Sequence, residues 1–335
     1  MVASMGNKST MQAIRFHAVG GPEVLQFEEV EKPRPGAGEA LVRIHVAGVN
    51  FADTLLRRGR YLRQPQFPET PGIEAAGVVE EVGGGVSEAI VGRRVAILGG
   101  RGCYAEYTVV PANQLIFLPD QISFEDGAAF PAQSLTAYHL LYTADHVKPG
   151  MSVLVHAAAG GVGLQAIQMA KQAGAKVFGT TSSDEKAKLA REMGADEVVL
   201  YNQGDFTERI KELTQGRGVD LVLDSVGRTT FAGSLKCLAP FGHVILYGAA
   251  SGPPEPVNII GSLFERSLKV SAFWLYTIQQ RPTEASEGIG RVLNWIANGK
   301  LKMVIGLKLP LAQAAEAHRR MESRETVGKI LLTVG

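Results

Sequence analysis

The sequence predicts an α/β protein in two parts, a partly open β-barrel and a doubly wound parallel sheet. Three observations predict it. The first is the stretch 151–163, where the apolar run Val153-Leu-Val155 meets the turn Ala158-x-Gly160-x-x-Gly163, and residues 164–173 then return apolar side chains at helical spacing. The second is the alternation of β-rich and helix-compatible segments that continues to about residue 247, which is how parallel strands joined by helices read. The third is the segment 11–118, rich in strand-like runs and glycine turns, as short-stranded barrels are.

Taken in order, 12–16 and 24–27 read as strands around the turn Gly20-Gly21-Pro22, and Pro33, Pro35, Gly36 and Gly38 make a rigid loop. Residues 40–47 alternate as a half-buried strand should, 48–59 turn into a short helix, and Pro65, Pro68 and Pro71 punctuate the loop beyond. Strands follow at 72–82, 94–98 and 104–110. Ser123 starts a helix as an N-cap with Glu125 and Asp126 in the first turn, and 128–144 stay helix-compatible despite Pro131. The alternating region gives strands at 152–156, 176–180, 197–200, 219–224 and 243–247, with helices at 161–173, 184–193, 205–215 and 229–238. One more apolar strand is expected at 268–275, helices at 283–297 and 312–323, and a closing strand at 329–334.

Composition narrows the class. The chain of 335 residues is 45% apolar and 20% charged, with a formal charge of +1, as ordinary globular proteins are. Basic residues come at most in pairs (Arg57-Arg58, Arg93-Arg94, Arg319-Arg320), which argues against a surface that tracks nucleic-acid phosphates. Cys103 and Cys237 are too few for a disulfide framework or a multi-cysteine zinc site. No apolar run approaches the roughly 20 residues that span a bilayer, so no membrane partner is expected. Residues 1–10 are polar and lack the apolar core of a signal peptide; they are set aside as a flexible leader, and the cytoplasm is the default address.

A glycine turn from a buried strand into a helix is a place for a phosphate, because backbone N–H groups point outward there and small residues allow close approach. Ala158 replaces the usual first glycine, and it can still make the turn if its φ stays negative. Ala159, Gly160, Gly161, Val162 and Gly163 are therefore expected to cradle a diphosphate.

The order of parts resembles the medium-chain dehydrogenase/reductase superfamily over nearly all of 11–335, and more closely the zinc-independent quinone oxidoreductases related to zeta-crystallin. The residues that carry it are Gly20-Gly-Pro-Glu-Val-Leu25, Gly48-Val-Asn-Phe-Ala-Asp53, Pro71-Gly-Ile-Glu-Ala-Ala-Gly77, Leu135-Thr-Ala-Tyr138, His156-Ala-Ala-Ala-Gly-Gly-Val-Gly163 and Asp224-Ser-Val-Gly227. The resemblance implies a GroES-like catalytic domain from 11–127 and 275–335, a Rossmann nucleotide domain at 128–274, and a substrate cleft at their junction. It also implies homodimers joined through the nucleotide domains, with the strand at 268–275 pairing with its mate.

Zinc-dependent relatives place metal ligands in the slots of Asn50, Ile73 and Ala132, and none of these side chains is a zinc ligand. Without a Lewis acid, hydride chemistry favours acceptors that are already activated, such as quinones and enones.

The end of the second parallel strand, near Thr180 and Thr181, carries no acid that would bind a ribose 2′-OH and repel a 2′-phosphate. The resemblance assigns NADPH to Ser182, Lys186 and Tyr201; alternatively Ser182 and Glu185 form a capping box and Lys186 is merely solvated. Further cofactor contacts carried over are Thr136, Gly248, Ala249, Ser251, Phe273, Trp274, Leu275 and Lys329, with a dimer-core role as the alternative for Trp274.

At the reacting centre, Asn50 is expected to orient substrate or nicotinamide unless it serves only as a turn or cap residue. Thr136 is the expected hydroxyl near the nicotinamide, against a threonine bonded to its own helix. Tyr61 matches a tyrosine that quinone and enoyl-thioester reductases share, and it could protonate an enolate. Many quinone enzymes carry a second tyrosine where this chain has Leu55. Two alternatives to quinone reduction stand beside it, a 2-enoyl-thioester reductase and an NADPH-binding protein with a structural role.

Overall fold

The computed structural model describes residues 9–99 and 101–335, in two compact units: 1–132 with 305–335, and 133–304. Residues 1–8 of the expected leader lie outside the described residues, and Thr10, placed in that leader, opens a strand instead.

In the first unit, β1 (Thr10–Arg15) and β2 (Gln26–Glu31) form an antiparallel pair. They are followed by β3 (Glu39–Val49), α1 (Phe51–Arg57), β4 (Glu74–Val82), β5 (Arg94–Leu98), β6 (Tyr107–Pro111), β7 (Ile116–Phe117) and α2 (Phe124–His139). The strand β3 pairs with β4, with β6 and with a strand from the far end of the chain, so both its edges are occupied, and its apolar residues are buried. Ile14, Phe16, Val42, Ile44, Val79, Ile97, Ile330 and Leu332 are among the residues of one continuous core.

The boundary falls inside α2, between Ala132 and Gln133. In the second unit come β8 (Ser152–Val155), α3 (Gly161–Gln172), β9 (Lys176–Thr181), α4 (Asp184–Glu192), β10 (Glu197–Leu200), α5 (Phe206–Leu213), β11 (Val219–Asp224), α6 (Phe231–Cys237), β12 (Leu238–Leu246), β13 (Lys269–Ala272) and α7 (Pro282–Ala297). Its sheet runs β10-β9-β8-β11-β12-β13, every pairing parallel, and the order reverses at β8, which is buried along its whole length. Ligands bind such sheets at the carboxyl ends of the strands beside that reversal.

The chain then returns to the first unit with β14 (Ile305–Pro310), α8 (Ala314–Glu322) and β15 (Lys329–Thr333). The expected return at 275 is thus corrected to 305. Leu275, Ile278 and Val292 are buried, and the backbone carbonyls of Lys300 and Lys302 accept hydrogen bonds from Gln172, Gln165 and Gln168 of α3, which straps 275–304 to the second unit.

Candidate active site

Asn50 stands at the N-cap of α1 with extended backbone (φ −124), so a left-handed turn is not its task. Asp53, three residues on, reaches back to accept from the Asn50 backbone N–H at 2.8 Å, and its own N–H donates to the Asn50 backbone carbonyl at 3.0 Å. The Asn50 carboxamide is directed at a buried ion pair. Nδ2 donates to Glu74 Oε1 at 2.7 Å, and Oδ1 accepts from Lys329 Nζ at 3.0 Å. Glu74 and Lys329 bond each other directly, and Glu74 Oε2 accepts from the Ala132 backbone N–H at 2.7 Å. Glu74 is fully buried and Lys329 is 1% exposed, whereas Asn50 is half-buried. Lys329, expected on the cofactor, is therefore committed to Glu74 and Asn50.

Behind this cluster, Asp53 Oδ2 also accepts from Tyr104 Oη at 3.1 Å, and Tyr104 meets His318 Nε2 at 3.2 Å. Burial pushes the Asp53 carboxyl up to about 7 despite the Asn50 N–H and Lys329 that oppose it. Burial, with help from Arg57 and Arg58, pushes His318 down to about 3, so its ring is neutral. Tyr61 is half-buried against the same barrel core.

In the second unit, α3 begins with no side-chain cap at Gly160, so its first-turn N–H groups are left to an outside acceptor. The turn's positive φ lies at Ala157 (φ 50), and Ala158 avoids that region as its place in the motif requires. Ala159 and Gly163 are buried, while Gly160, Gly161 and Val162 are half-buried. A Cβ on Gly163 would lie 2.5 Å from the Ala157 carbonyl oxygen, and one on Gly161 would collide with the Gln133 carboxamide. Gly163 is dictated by close backbone approach, as helix–strand packing in such a turn requires, whereas the Gln133 side chain at Gly161 can swing aside.

At the end of β9, the N-cap of α4 is Ser183, whose hydroxyl accepts from the Lys186 N–H at 3.3 Å. The capping alternative for Ser182 and Glu185 is thereby overturned. Lys186 Nζ reaches Ser182 Oγ at 3.5 Å, and Tyr201, just past β10, is 43% exposed with its N–H on the Thr181 carbonyl. Ser182, Lys186 and Tyr201 therefore gather at the carboxyl ends of β9 and β10, and Asp184 and Glu185 are exposed in the first turn of α4.

The remaining expected contacts divide. Gly248 and Ala249 are half-buried after β12, and Gly248 lies against Ser225, where a Cβ would be 2.8 Å from its carbonyl oxygen. The Ser251 hydroxyl is spent on the turn after β11, donating to Val226 O and accepting from the Thr229 N–H. Leu275 is a buried core residue, Phe273 faces the His139 ring with centroids 6.5 Å apart, and Trp274 is 44% exposed. Thr136 is half-buried in α2. Gln133, one turn earlier and equally half-buried, shares that face, while the residues between them are buried. Sequence reasoning missed Gln133, although its three-residue spacing from Thr136 was the signal. It also missed Glu74, which follows the metal-ligand slot at Ile73.

Among the described residues no three His, Cys, Asp or Glu side chains come together as a metal site, and no helix is long and apolar enough to cross a membrane.

A parallel sheet with a glycine turn at its reversal, joined in one chain to a barrel carrying a buried polar cluster, defines the two-domain dehydrogenase class. Family models agree: residues 36–120 match the alcohol dehydrogenase GroES-like domain and 161–290 the domain described as zinc-binding dehydrogenase. A quinone oxidoreductase of Pseudomonas aeruginosa is 40% identical, covering 95% of this chain and 98% of its own. A 2-haloacrylate reductase of a Burkholderia species is 39% identical, covering 96% and 98%. The structure of Escherichia coli quinone oxidoreductase complexed with NADPH superposes with a TM-score of 0.91 at 40% identity, over 96% of this chain and 99% of the other. The chain belongs to the quinone oxidoreductases of the medium-chain dehydrogenase/reductase superfamily, the branch related to zeta-crystallin.

Proposed function

We propose that this protein is an NADPH-dependent reductase of quinones and α,β-unsaturated carbonyls that works without zinc. The observation that carries the reading is the pairing of Lys186 with Ser182 beside the uncapped N-terminus of α3: a cation and a hydroxyl for a 2′-phosphate, with N–H groups for a diphosphate. The NADPH-bound relatives of similar fold support it. Bound NADPH supplies a hydride from its nicotinamide C4. Thr136 and Gln133 offer a hydroxyl and a carboxamide to the cofactor, and Tyr201 an exposed ring beside its adenosine half. Asn50 acts on the acceptor, and Tyr61 assists binding or protonation. The slots of the zinc ligands hold Asn50, Ile73 and Ala132, so an amide stands where zinc-dependent relatives have a metal ligand.

The experiment is NADPH consumption with 1,4-benzoquinone, 9,10-phenanthrenequinone, 2-chloroacrylate and crotonyl-thioester. Turnover of the quinones or the haloacrylate supports the proposal; turnover of the thioester alone makes the protein an enoyl-thioester reductase. Saturable NADPH binding with no turnover of any acceptor overturns it in favour of a structural role. The similarity to a 2-haloacrylate reductase is the reason to include the chlorinated acid.

The working form in this reading is a homodimer joined through the second unit. β13 is an edge strand with Val270 39% exposed, and Phe241, Ile259, Ile260 and Phe264, in and after β12, are each at least 67% exposed. Apolar side chains in such number beside an unpaired strand edge mark an association surface. The two cysteines, both free and buried, suit the reducing cytoplasm.

A further inference from the structure

We infer that Glu74 and Lys329 are positioning residues that lock the Asn50 amide in one orientation, presenting its second Nδ2 hydrogen to the carbonyl oxygen of the acceptor. This deepens the reading above and rests on it. The argument begins with donor and acceptor inventory. An ammonium only donates and a carboxylate only accepts, so the amide atom against Lys329 is oxygen and the one against Glu74 is nitrogen. An asparagine among water or backbone groups has no such constraint, and its flip is ambiguous. Here a flip would set NH2 against an ammonium and an oxygen against a carboxylate, both away from solvent, since Glu74 is fully buried and Lys329 is 1% exposed.

The ion pair is itself held. Glu74 has Oε2 on the Ala132 N–H and Oε1 shared between Asn50 and Lys329, so its carboxylate ties together two of the three slots where zinc relatives place metal ligands. Buried pairs of this kind are often no more stabilising than apolar packing, and their best-attested use is to specify one arrangement. The arrangement specified is a hydrogen-bond donor. Asn50 is half-buried, and one Nδ2 hydrogen has no protein partner among the described residues. The ammonium on Oδ1 draws electron density from the amide and strengthens the remaining N–H as a donor. When hydride arrives at a carbon conjugated to a carbonyl, the electron pair moves onto the carbonyl oxygen, and a pre-aimed N–H is what that oxygen then needs.

The test uses Glu74→Asp, which keeps the charge opposite Lys329 and withdraws the carboxylate from Asn50 by one methylene. Asn50→Ala should lower kcat by about 100-fold, as loss of one such donor does elsewhere, and leave the KM for NADPH within about twofold. Glu74→Asp should lower kcat by about tenfold or more in the wild-type background and have almost no effect in the Asn50→Ala background, because two residues acting through one contact are not additive. A loss of equal size in both backgrounds, or no loss in either, overturns the inference while leaving the reductase reading intact. A second readout needs neither cofactor nor turnover. The chain has seven asparagines, so side-chain amide signals of the 15N-asparagine-labelled protein can be assigned by loss in Asn50→Ala. Two distinct, shifted Asn50 Nδ2 protons that move towards solvent values in Glu74→Asp support the lock; solvent-like signals in the unaltered protein overturn it, whatever the acceptor panel shows.

Discussion

In the proposed function, Lys186 with Ser182 is what distinguishes NADPH from NADH, through the 2′-phosphate. A charged hydrogen bond of this type contributes about 1.5–3 kcal/mol, so Lys186→Ala should raise the Kd for NADPH by about tenfold or more and that for NADH by less than about twofold. Fluorescence titration with both reduced forms checks it, and equal losses would remove the phosphate role. A second residue sets a pH limit. Burial pushes His139 down to about 4, and its Nδ1 bonds the Thr143 hydroxyl at 2.9 Å. A folded pKa below the unfolded value gives stability that is present above about 6.5 and lost as pH falls towards 4. At pH 5 the loss from His139 alone is about 2 kcal/mol, and His318, held lower still, adds to it. Asp53, pushed up to about 7, changes stability in the opposite sense over this range, so the check is a comparison: lowering the pH from 7 to 5 should reduce the urea midpoint more in the unaltered protein than in His139→Gln. Neither the histidine's depression nor the Asn50 contact could be read locally, since Glu74 and Lys329 are 255 residues apart in sequence. The place of Lys186 could be read, because it lies just past a strand whose position the alternation fixes.

The elements show why some segments were legible and others were not. β8, β9, β11 and β12 are apolar runs bounded by glycines and caps, and central parallel strands must be so because both faces are covered. β14 was not expected. Its six residues contain Gly306 and end in Pro310, which break an otherwise alternating pattern; the strand sits at the sheet's edge, where both are tolerated. A Cβ on Gly306 would collide with the Val327 carbonyl, so the glycine that hides the strand is what lets it dock. The same logic gives a prediction for α3. Gly163→Ala would place its Cβ 2.5 Å from Ala157 O and 2.9 Å from Ala158 Cα, backbone atoms that cannot swing aside. The variant should lose about 1–3 kcal/mol of stability, and it should bind NADPH more weakly because the N–H groups at the helix start are displaced. Thermal melting and NADPH titration, run together, check both parts; an unchanged melting point would mean that the turn relaxes freely.

For the whole molecule, the two-part plan was legible in the order of its segments, but the return point was not. Residues 275–304 are held to the second unit by the glutamines of α3 and by α7, whose Gly288 is dictated by close contact with His139. Those contacts join segments more than 100 residues apart, beyond any local pattern. Assembly is testable at this scale. Light scattering should give twice the chain mass of 35.8 kDa, and Val270→Asp with Phe264→Asp should give the single mass without loss of NADPH binding. A single mass in the unaltered protein would remove the dimer.

The closing strand β15 begins with Lys329 and pairs with β3, whose last residue adjoins Asn50. During synthesis, the sheet of the second unit is therefore complete in sequence long before the ammonium that secures Asn50 has been translated. A chain cut short ahead of residue 329 would lack the strand that flanks β3 and the ammonium on Asn50, so in the proposed function it would lose the acceptor site while every strand of the second sheet remained encoded.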